Sequence, residues 1–171
     1  TAINTDNTQW QEQWAPSDGH VQWIDTAAPQ YTNDDITAQE THMAWNVNSL
    51  NKRWESGELV DMLLTHNPTS ISLSEIRCDL AGLGSPWELR HTLNAMGYRN
   101  IIWNWCVAPK IQSTKTSGNF GIAVFSKKPI ANISFGVGNK ALDREGRTIT
   151  GTINNKTFIW SYTPCSRSDP T

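Results

Sequence analysis

The sequence predicts a mixed α/β fold in which most of the sheet pairing is antiparallel. Strand and helix patterns alternate from about residue 42 to residue 107, and four strand patterns then follow in quick succession up to residue 163. The chain has 171 residues, of which 37% are hydrophobic and 9% aromatic. This length and composition allow one domain with a hydrophobic core.

Residues 1–41 differ from the rest of the chain in charge. No Lys or Arg precedes Lys52, whereas seven acidic residues lie before it; with 14 basic and 16 acidic residues in all, the remainder carries 14 − 9 = +5. We therefore expect an acidic extended arm over 1–41, without a core of its own, joined to a domain over 42–171. Trp10, Trp14 and Trp23 predict that the arm packs on a surface, of this domain or of another chain.

The first part of the domain alternates between strands and helices. Four features set its boundaries: the stop signal Asn67-Pro68, a Ser85 cap, Pro86 as a first helical residue, and Gly97 at a helix end. The predicted elements are a strand over 42–47, a helix over about 51–66, a strand over 69–76, a helix from 86 to about 96 and a strand over 99–107.

The second part is a run of strands after a polar loop over 112–118. Asn154-Asn155 is typical of a tight hairpin turn. The predicted strands cover 119–126, 130–136, 147–153 and 157–163.

Cysteine usage and hydropathy exclude several classes of protein. Cys78, Cys106 and Cys165 are widely spaced, which indicates neither a disulfide framework nor a zinc motif. Free thiols are typical of an intracellular reducing compartment and leave nucleus and mitochondrion open. No apolar run is long enough to span a membrane. The chain starts at Thr1 rather than Met, so we expect a segment upstream, which a cleaved targeting peptide would explain.

Five segments, in order between about residues 42 and 168, resemble the motifs of exonuclease III-type apurinic/apyrimidinic endonucleases, in the endonuclease/exonuclease/phosphatase superfamily. They are Trp45-Asn46-Val47-Asn48-Ser49-Leu50, Leu73-Ser74-Glu75-Ile76-Arg77-Cys78, Gly118-Asn119-Phe120-Gly121-Ile122-Ala123-Val124-Phe125-Ser126-Lys127, Asp143-Arg144-Glu145-Gly146-Arg147-Thr148-Ile149 and Tyr162-Thr163-Pro164. The Glu-Gly-Arg segment favours this branch over DNase-like, sphingomyelinase-like and phosphoinositide phosphatase relatives. The resemblance implies the N-terminal half of a two-layer or four-layer α/β sandwich of the DNase I-like type.

Phosphodiester hydrolysis uses a hard divalent cation, and Mg²⁺ is held by a carboxylate with few other protein ligands. Glu75 follows an apolar strand, where such a ligand is expected. The resemblance implies that Glu75 binds Mg²⁺ with Asn48 as a weaker ligand, and that Asn46 and Tyr162 are catalytic. It also implies that Arg77, Arg147 and Arg167 contact nucleic acid.

Each of these residues also has an ordinary explanation. A Glu after a strand is usually solvated, an Asn there usually forms a turn, Tyr162 fits strand packing, and Glu145 with Arg147 fits a surface ion pair. The sequence departs from the motifs at three places. Ser49 stands where a Gly is usual, at a backbone position that favours positive φ, Asn119-Phe120 replaces Tyr-Ser, and Cys165 replaces an amide.

The family's Gly-Asp-x-Asn and Ser-Asp-His motifs, which activate the attacking water, do not occur in this sequence. We therefore expect a second polypeptide to carry the C-terminal half, with DNA as the substrate, unless the sequence is an incomplete record of a longer chain. The alternative is a catalytically inactive, nuclease-like subunit of a larger assembly. If each half supplies one sheet, this half exposes an apolar face. Its expected residues are Ile71, Leu73, Ile122, Val124, Ile149, Phe158 and Trp160.

Overall fold

The computed structural model describes residues 10–15, 19–25, 39–78, 83, 86–107 and 121–163. Six strands form a large sheet in the order β1-β2-β5-β6-β4-β3, in which only β3 and β4 are parallel neighbours. These strands are Trp10–Ala15 (β1), His20–Asp25 (β2), His42–Asn46 (β3), Ser70–Ser74 (β4), Asn100–Trp105 (β5) and Gly121–Ser126 (β6). A small antiparallel sheet contains Ala131–Phe135 (β7), Thr148–Ile153 (β8) and Lys156–Ser161 (β9). The predicted mixed, mostly antiparallel α/β fold is confirmed.

The helix predicted over about 51–66 is in fact two helices, Leu50–Glu55 (α1) and Glu58–His66 (α2). Gly57 separates them with φ of 81°, a left-handed conformation that interrupts the helix. The predicted stop is present, since Asn67 takes a left-handed conformation with φ of 44°. The helix at Pro86 runs to Ala95 (α3), and a short helix, Lys140–Asp143 (α4), was not predicted.

Two apolar cores cover the two faces of the large sheet. On one face the helices bury Leu59, Leu63, Leu89 and Leu93 against strand residues such as Phe125. The other face packs on the small sheet, and this core is formed by Ile102, Ile122, Val124, Ile130, Ile149, Ile153 and Trp160. Successive strand residues point to opposite faces, so Ile101 and Ile102 enter different cores.

The exposed apolar face predicted from the sequence is therefore wrong. Ile71 and Leu73 are buried beneath the helices, and Ile122, Val124, Ile149 and Trp160 are buried in the core that faces the small sheet. Phe158 is half-buried. The reason is that this chain builds strands of both layers, rather than one sheet only, and so covers its own inner face.

Part of the predicted arm belongs to the large sheet. β1 pairs with β2, and β2 pairs with β5, all antiparallel. Val21 and Trp23 are buried in the helical core, where Trp23 meets Trp103 edge to face at 5.4 Å between ring centroids. The arm therefore packs on this domain over the described residues; its division from the domain at residue 41 stays a prediction. None of the described helices has the length and hydrophobicity needed to cross a membrane.

Candidate active site

The candidate site lies where the parallel strands β3 and β4 end. Asn46 is the last residue of β3 and pairs with Ser74, the last residue of β4, which Glu75 follows. The strands continue as a ladder beyond their ends, because the Val47 amide donates to the Ser74 carbonyl at 3.0 Å. Asn46 and Glu75, 29 residues apart in sequence, thus come to one edge of the sheet.

Four non-glycine residues at this edge have positive φ: Asn48 (46°), Ser49 (92°), Glu75 (53°) and Arg77 (55°). Their amides and carbonyls hold the two turns together, with the Ser49 amide donating to the Glu75 carbonyl at 2.9 Å. The positive φ expected at position 49 is confirmed. L-residues seldom adopt this conformation, and such strained positions cluster at functional sites.

Three side chains converge on the Glu75 carboxylate. Asn46 Nδ2 donates to Oε1 at 2.9 Å, and the Tyr162 hydroxyl donates to the same oxygen at 2.6 Å. Arg77 Nη2 donates to Oε2 at 2.8 Å. The Asn46 amide is itself oriented, because its Oδ1 accepts from the Asn48 amide at 3.1 Å. Asn46, Arg77 and Tyr162, all singled out from the sequence, thus donate hydrogen bonds to Glu75, which was singled out as well.

The network fixes the ionisation of both partners. The hydrogen bond from Tyr162 lowers the pKa of Glu75; burial opposes this shift, and Asn46 and Arg77 lower the pKa further. Burial and the bond to the Glu75 carboxylate raise the pKa of Tyr162 to about 12. At neutral pH the site therefore holds a carboxylate and a neutral phenol.

Tyr162 reaches Glu75 from the small sheet. It follows β9, and its backbone amide donates to the Arg147 carbonyl at 2.9 Å. The preceding turn lies against the end of β5, where the Val107 amide donates to the Arg144 carbonyl at 2.8 Å. Gly146 allows this approach: with φ of 65°, a Cβ here would lie 2.5 Å from the Asn104 carbonyl oxygen. Sequence reasoning gave Gly146 no positioning role, although it stands in the Glu-Gly-Arg motif.

The other residues singled out from the sequence lie differently. Arg147 Nε pairs with Glu145 Oε2 at 2.5 Å, and its charge opposes part of the rise in the pKa of Tyr162 that burial and Glu75 cause. The Asn48 side chain is exposed, and among the described residues it makes no hydrogen bond to Glu75. Arg167 and Cys165 lie outside the described residues.

The Glu75 carboxylate fits a hard divalent cation that takes few of its ligands from the protein. Within the part of the chain that the structure describes, no group of three or more His, Cys, Asp or Glu side chains is placed to hold a metal. Glu75 nevertheless offers an ionised carboxylate at a sheet edge, and the Asn48 backbone amide bonds the Asn46 side chain that donates to this carboxylate. Mg²⁺ keeps several waters and needs only one or two carboxylates from a protein.

The two layers and this edge site define a DNase I-like α/β sandwich. No protein-family model matches the sequence. The chain resembles an exodeoxyribonuclease of Bacillus subtilis (strain 168), with 28% identity over 125 residues, 73% of this chain and 43% of the relative. Its structure resembles an AP endonuclease from Archaeoglobus fulgidus, with a TM-score of 0.55 and 20% identity over 74% of this chain and 42% of that protein.

A 3′–5′ exonuclease from Neisseria meningitidis gives a TM-score of 0.50 and 23% identity, over 68% of this chain and 39% of that protein. The fold is therefore that of the exonuclease III-type apurinic/apyrimidinic endonucleases, as the motifs predicted. This chain spans about two-fifths of the length of the relatives it matches.

Proposed function

We propose that this chain supplies the cation-binding half of a Mg²⁺-dependent apurinic/apyrimidinic endonuclease, which hydrolyses DNA phosphodiesters in base excision repair. The observation that carries the proposal is the convergence of Asn46, Arg77 and Tyr162 on the ionised Glu75. Glu75, with Asn48, would hold the Mg²⁺, which when bound polarises a phosphoryl oxygen and supports the leaving group.

The protein's own groups then have separate tasks. Asn46 orients the carboxylate. Tyr162 keeps its proton at neutral pH because its pKa is raised to about 12, and its hydroxyl is a donor that a phosphate oxygen can use. Arg147 and Arg77, both at this edge, provide positive charge for a DNA phosphate.

We assign activation of the attacking water to the C-terminal half of the fold, with its Gly-Asp-x-Asn and Ser-Asp-His motifs, which a second polypeptide or a longer form of this chain would supply. The basic balance of residues 42–171 favours contact with nucleic acid. The names of the relatives, an exodeoxyribonuclease and an AP endonuclease, support DNA as the substrate class.

An incision assay on a duplex with one abasic site tests the proposal. We expect no cleavage by this chain alone, and Mg²⁺-dependent cleavage once a polypeptide with both missing motifs is added. Glu75→Gln is expected to reduce cleavage by about 100-fold, the scale seen when one electrostatic stabiliser is removed. Glu88→Gln, on the exposed side of α3, is the matched control and should cleave normally. Cleavage that survives Glu75→Gln would overturn the site.

The second candidate is a catalytically inactive nuclease-like subunit of a larger assembly. One observation favours it: both oxygens of Glu75 are already occupied by donors of the protein itself. A companion polypeptide without either missing motif, and no cleavage by the assembled complex, would establish this function in place of the first.

A further inference from the structure

The two oxygens of Glu75 are engaged differently. Oε1 accepts from two neutral donors, Asn46 and Tyr162, at 2.9 and 2.6 Å. Oε2 accepts from one donor, the Arg77 guanidinium, at 2.8 Å. A carboxylate oxygen has two lone pairs, so Oε1 is fully used and a cation has to approach through Oε2. Arg77 holds that same oxygen.

The backbone is shaped so that Arg77 meets Glu75. Both residues have left-handed φ, 53° and 55°, on either side of the fully buried Ile76. Ile76 is fixed in the ladder, since its carbonyl accepts from the Leu50 amide at 2.9 Å. The Arg77 side chain is 37% exposed, and among the described residues its only bond is the one to Glu75.

We infer that Arg77 is a built-in counter-cation of Glu75, which a divalent cation has to displace from Oε2 before it binds. The inference rests on the proposed role of Glu75 as a cation ligand. A guanidinium and a dication on one carboxylate oxygen repel each other. Arg77 therefore lowers the affinity of the site for divalent cations, and it is a positioning residue whose charge sets that affinity.

The test measures Mn²⁺ binding to the full chain by the electron paramagnetic resonance signal of free Mn²⁺. We expect Arg77→Gln to bind Mn²⁺ about three- to tenfold more tightly than the unmodified chain, because the competing charge is removed. Lys140→Gln is the matched control: Lys140 is an exposed cation at the start of α4, not at the ends of β3 and β4. It changes the net charge equally and should leave the Kd within about twofold.

Arg77→Lys separates charge from shape. It keeps a positive charge two residues from Glu75, so we expect a Kd within about twofold of the unmodified chain. Binding as tight as in Arg77→Gln would show that charge is not the cause and would overturn the inference. An unchanged or weaker affinity in Arg77→Gln would overturn it as well.

Glu75→Gln distinguishes the inference from the proposed function. If Glu75→Gln abolishes Mn²⁺ binding while Arg77→Gln changes nothing, only the role of Arg77 fails. If Glu75→Gln binds Mn²⁺ as the unmodified chain does, or if the unmodified chain binds none and Arg77→Gln binds none, the cation site itself fails, and the inference with it.

Discussion

Glu75 receives hydrogen bonds from three residues. Asn46 and Tyr162 are distant from it in the sequence, and Arg77, two residues away, has a left-handed backbone conformation. Asn46 comes from the neighbouring parallel strand, Arg77 from the same turn, and Tyr162 from the other sheet. Tyr162 is the largest influence on the charge of Glu75, because its bond favours the ionised form most. A single hydroxyl thus links the ionisation of the site to the packing of the two layers.

Removing that hydroxyl should change the titration of Glu75. We expect Tyr162→Phe to raise the pKa of Glu75 toward its ordinary value of 4.5, because the strongest donor to the carboxylate is lost. The stability that depends on this carboxylate is present above the unfolded pKa and falls away with acid, so in Tyr162→Phe less of it is lost on acidification. Carbon-13 NMR of the glutamate side-chain carboxyls measures the shift directly.

Tyr98→Phe is the control for this experiment. Tyr98 also donates one hydrogen bond, to the Pro68 carbonyl at 2.8 Å, but in the helical core. It should cost about 1 kcal/mol of stability and leave the titration of Glu75 unchanged. A Glu75 titration that is the same in Tyr162→Phe as in the unmodified chain would contradict the assigned bond.

The sequence motifs identified the residues that lie together at this edge, but they did not predict the hydrogen bonds between their side chains. Asn46 ends β3 and Glu75 follows the parallel strand β4, so their proximity follows from strand order. The direction of the Arg77 side chain does not, because it depends on left-handed φ at two residues for which no sequence rule predicts it. The same limit applies to Asn48, which contributes its backbone amide to the network.

Most elements were predictable because their periodicity is strong and their ends carry turn residues. The error over 51–66 arose because apolar residues continue across Ser56-Gly57, and periodicity alone does not show that Gly57 turns left-handed. α4 has four residues, too few for a helical period, although Asn139 accepts from the Ala141 amide as its cap.

The turn that carries Glu145, Gly146 and Arg147 should be the most sensitive of these elements to a single methyl group. Gly146→Ala places a Cβ 2.5 Å from the Asn104 carbonyl oxygen at a left-handed position. We expect a loss of about 3 kcal/mol in the free energy of unfolding, from overpacking and backbone strain together. Urea denaturation measures it.

Gly57→Ala is the matched control, since Gly57 is also left-handed, with φ of 81°, but nothing lies within 4 Å of its would-be Cβ. Its free energy of unfolding should fall by only about 1 kcal/mol, because backbone strain is the one cost of the added Cβ. Equal losses in the two variants would show that the turn does not rest against β5.

At the scale of the whole molecule, the sequence predicted the strands of the small sheet but not where they pack. β7, β8 and β9 follow β6 in the chain, and their alternating pattern is compatible with extending one sheet or with starting another. The structure places them on the inner face of the large sheet, where Ile149 and Trp160 cover Ile122 and Val124. Strand periodicity specifies which face is apolar and leaves open what covers it.

A buried carboxylate ties the two sheets together. Glu40 precedes β3, and its side chain is only 6% exposed. It accepts from Lys128 Nζ at 2.9 Å and from His42 Nε2 and Lys156 Nζ at 3.3 Å each, and Asn154 also donates to it. Lys156 and Asn154 belong to the β8–β9 hairpin, whereas His42 begins β3, so the cluster joins one layer to the other.

Acid should therefore weaken the association of the layers through Glu40. Burial alone would raise its pKa, but the bonds from Lys128, Lys156 and His42 outweigh burial and lower the pKa to about 2. A carboxyl with a folded pKa below its unfolded value of 4.5 stabilises the fold fully above about pH 5, and this stabilisation is lost as the pH falls toward 2.

We expect Glu40 to account for a loss of about 2–3 kcal/mol between these pH values. In Glu40→Gln the loss of stability between these pH values should be smaller by about this amount, while stability at neutral pH falls by about 2–4 kcal/mol because the buried Lys128 loses its carboxylate. Urea unfolding at a series of pH values measures both effects, with the exposed Glu55→Gln as the control that should keep the profile of the unmodified chain. If Glu40→Gln loses stability with acid as steeply as the unmodified chain, the pH dependence of the interface between the layers arises elsewhere.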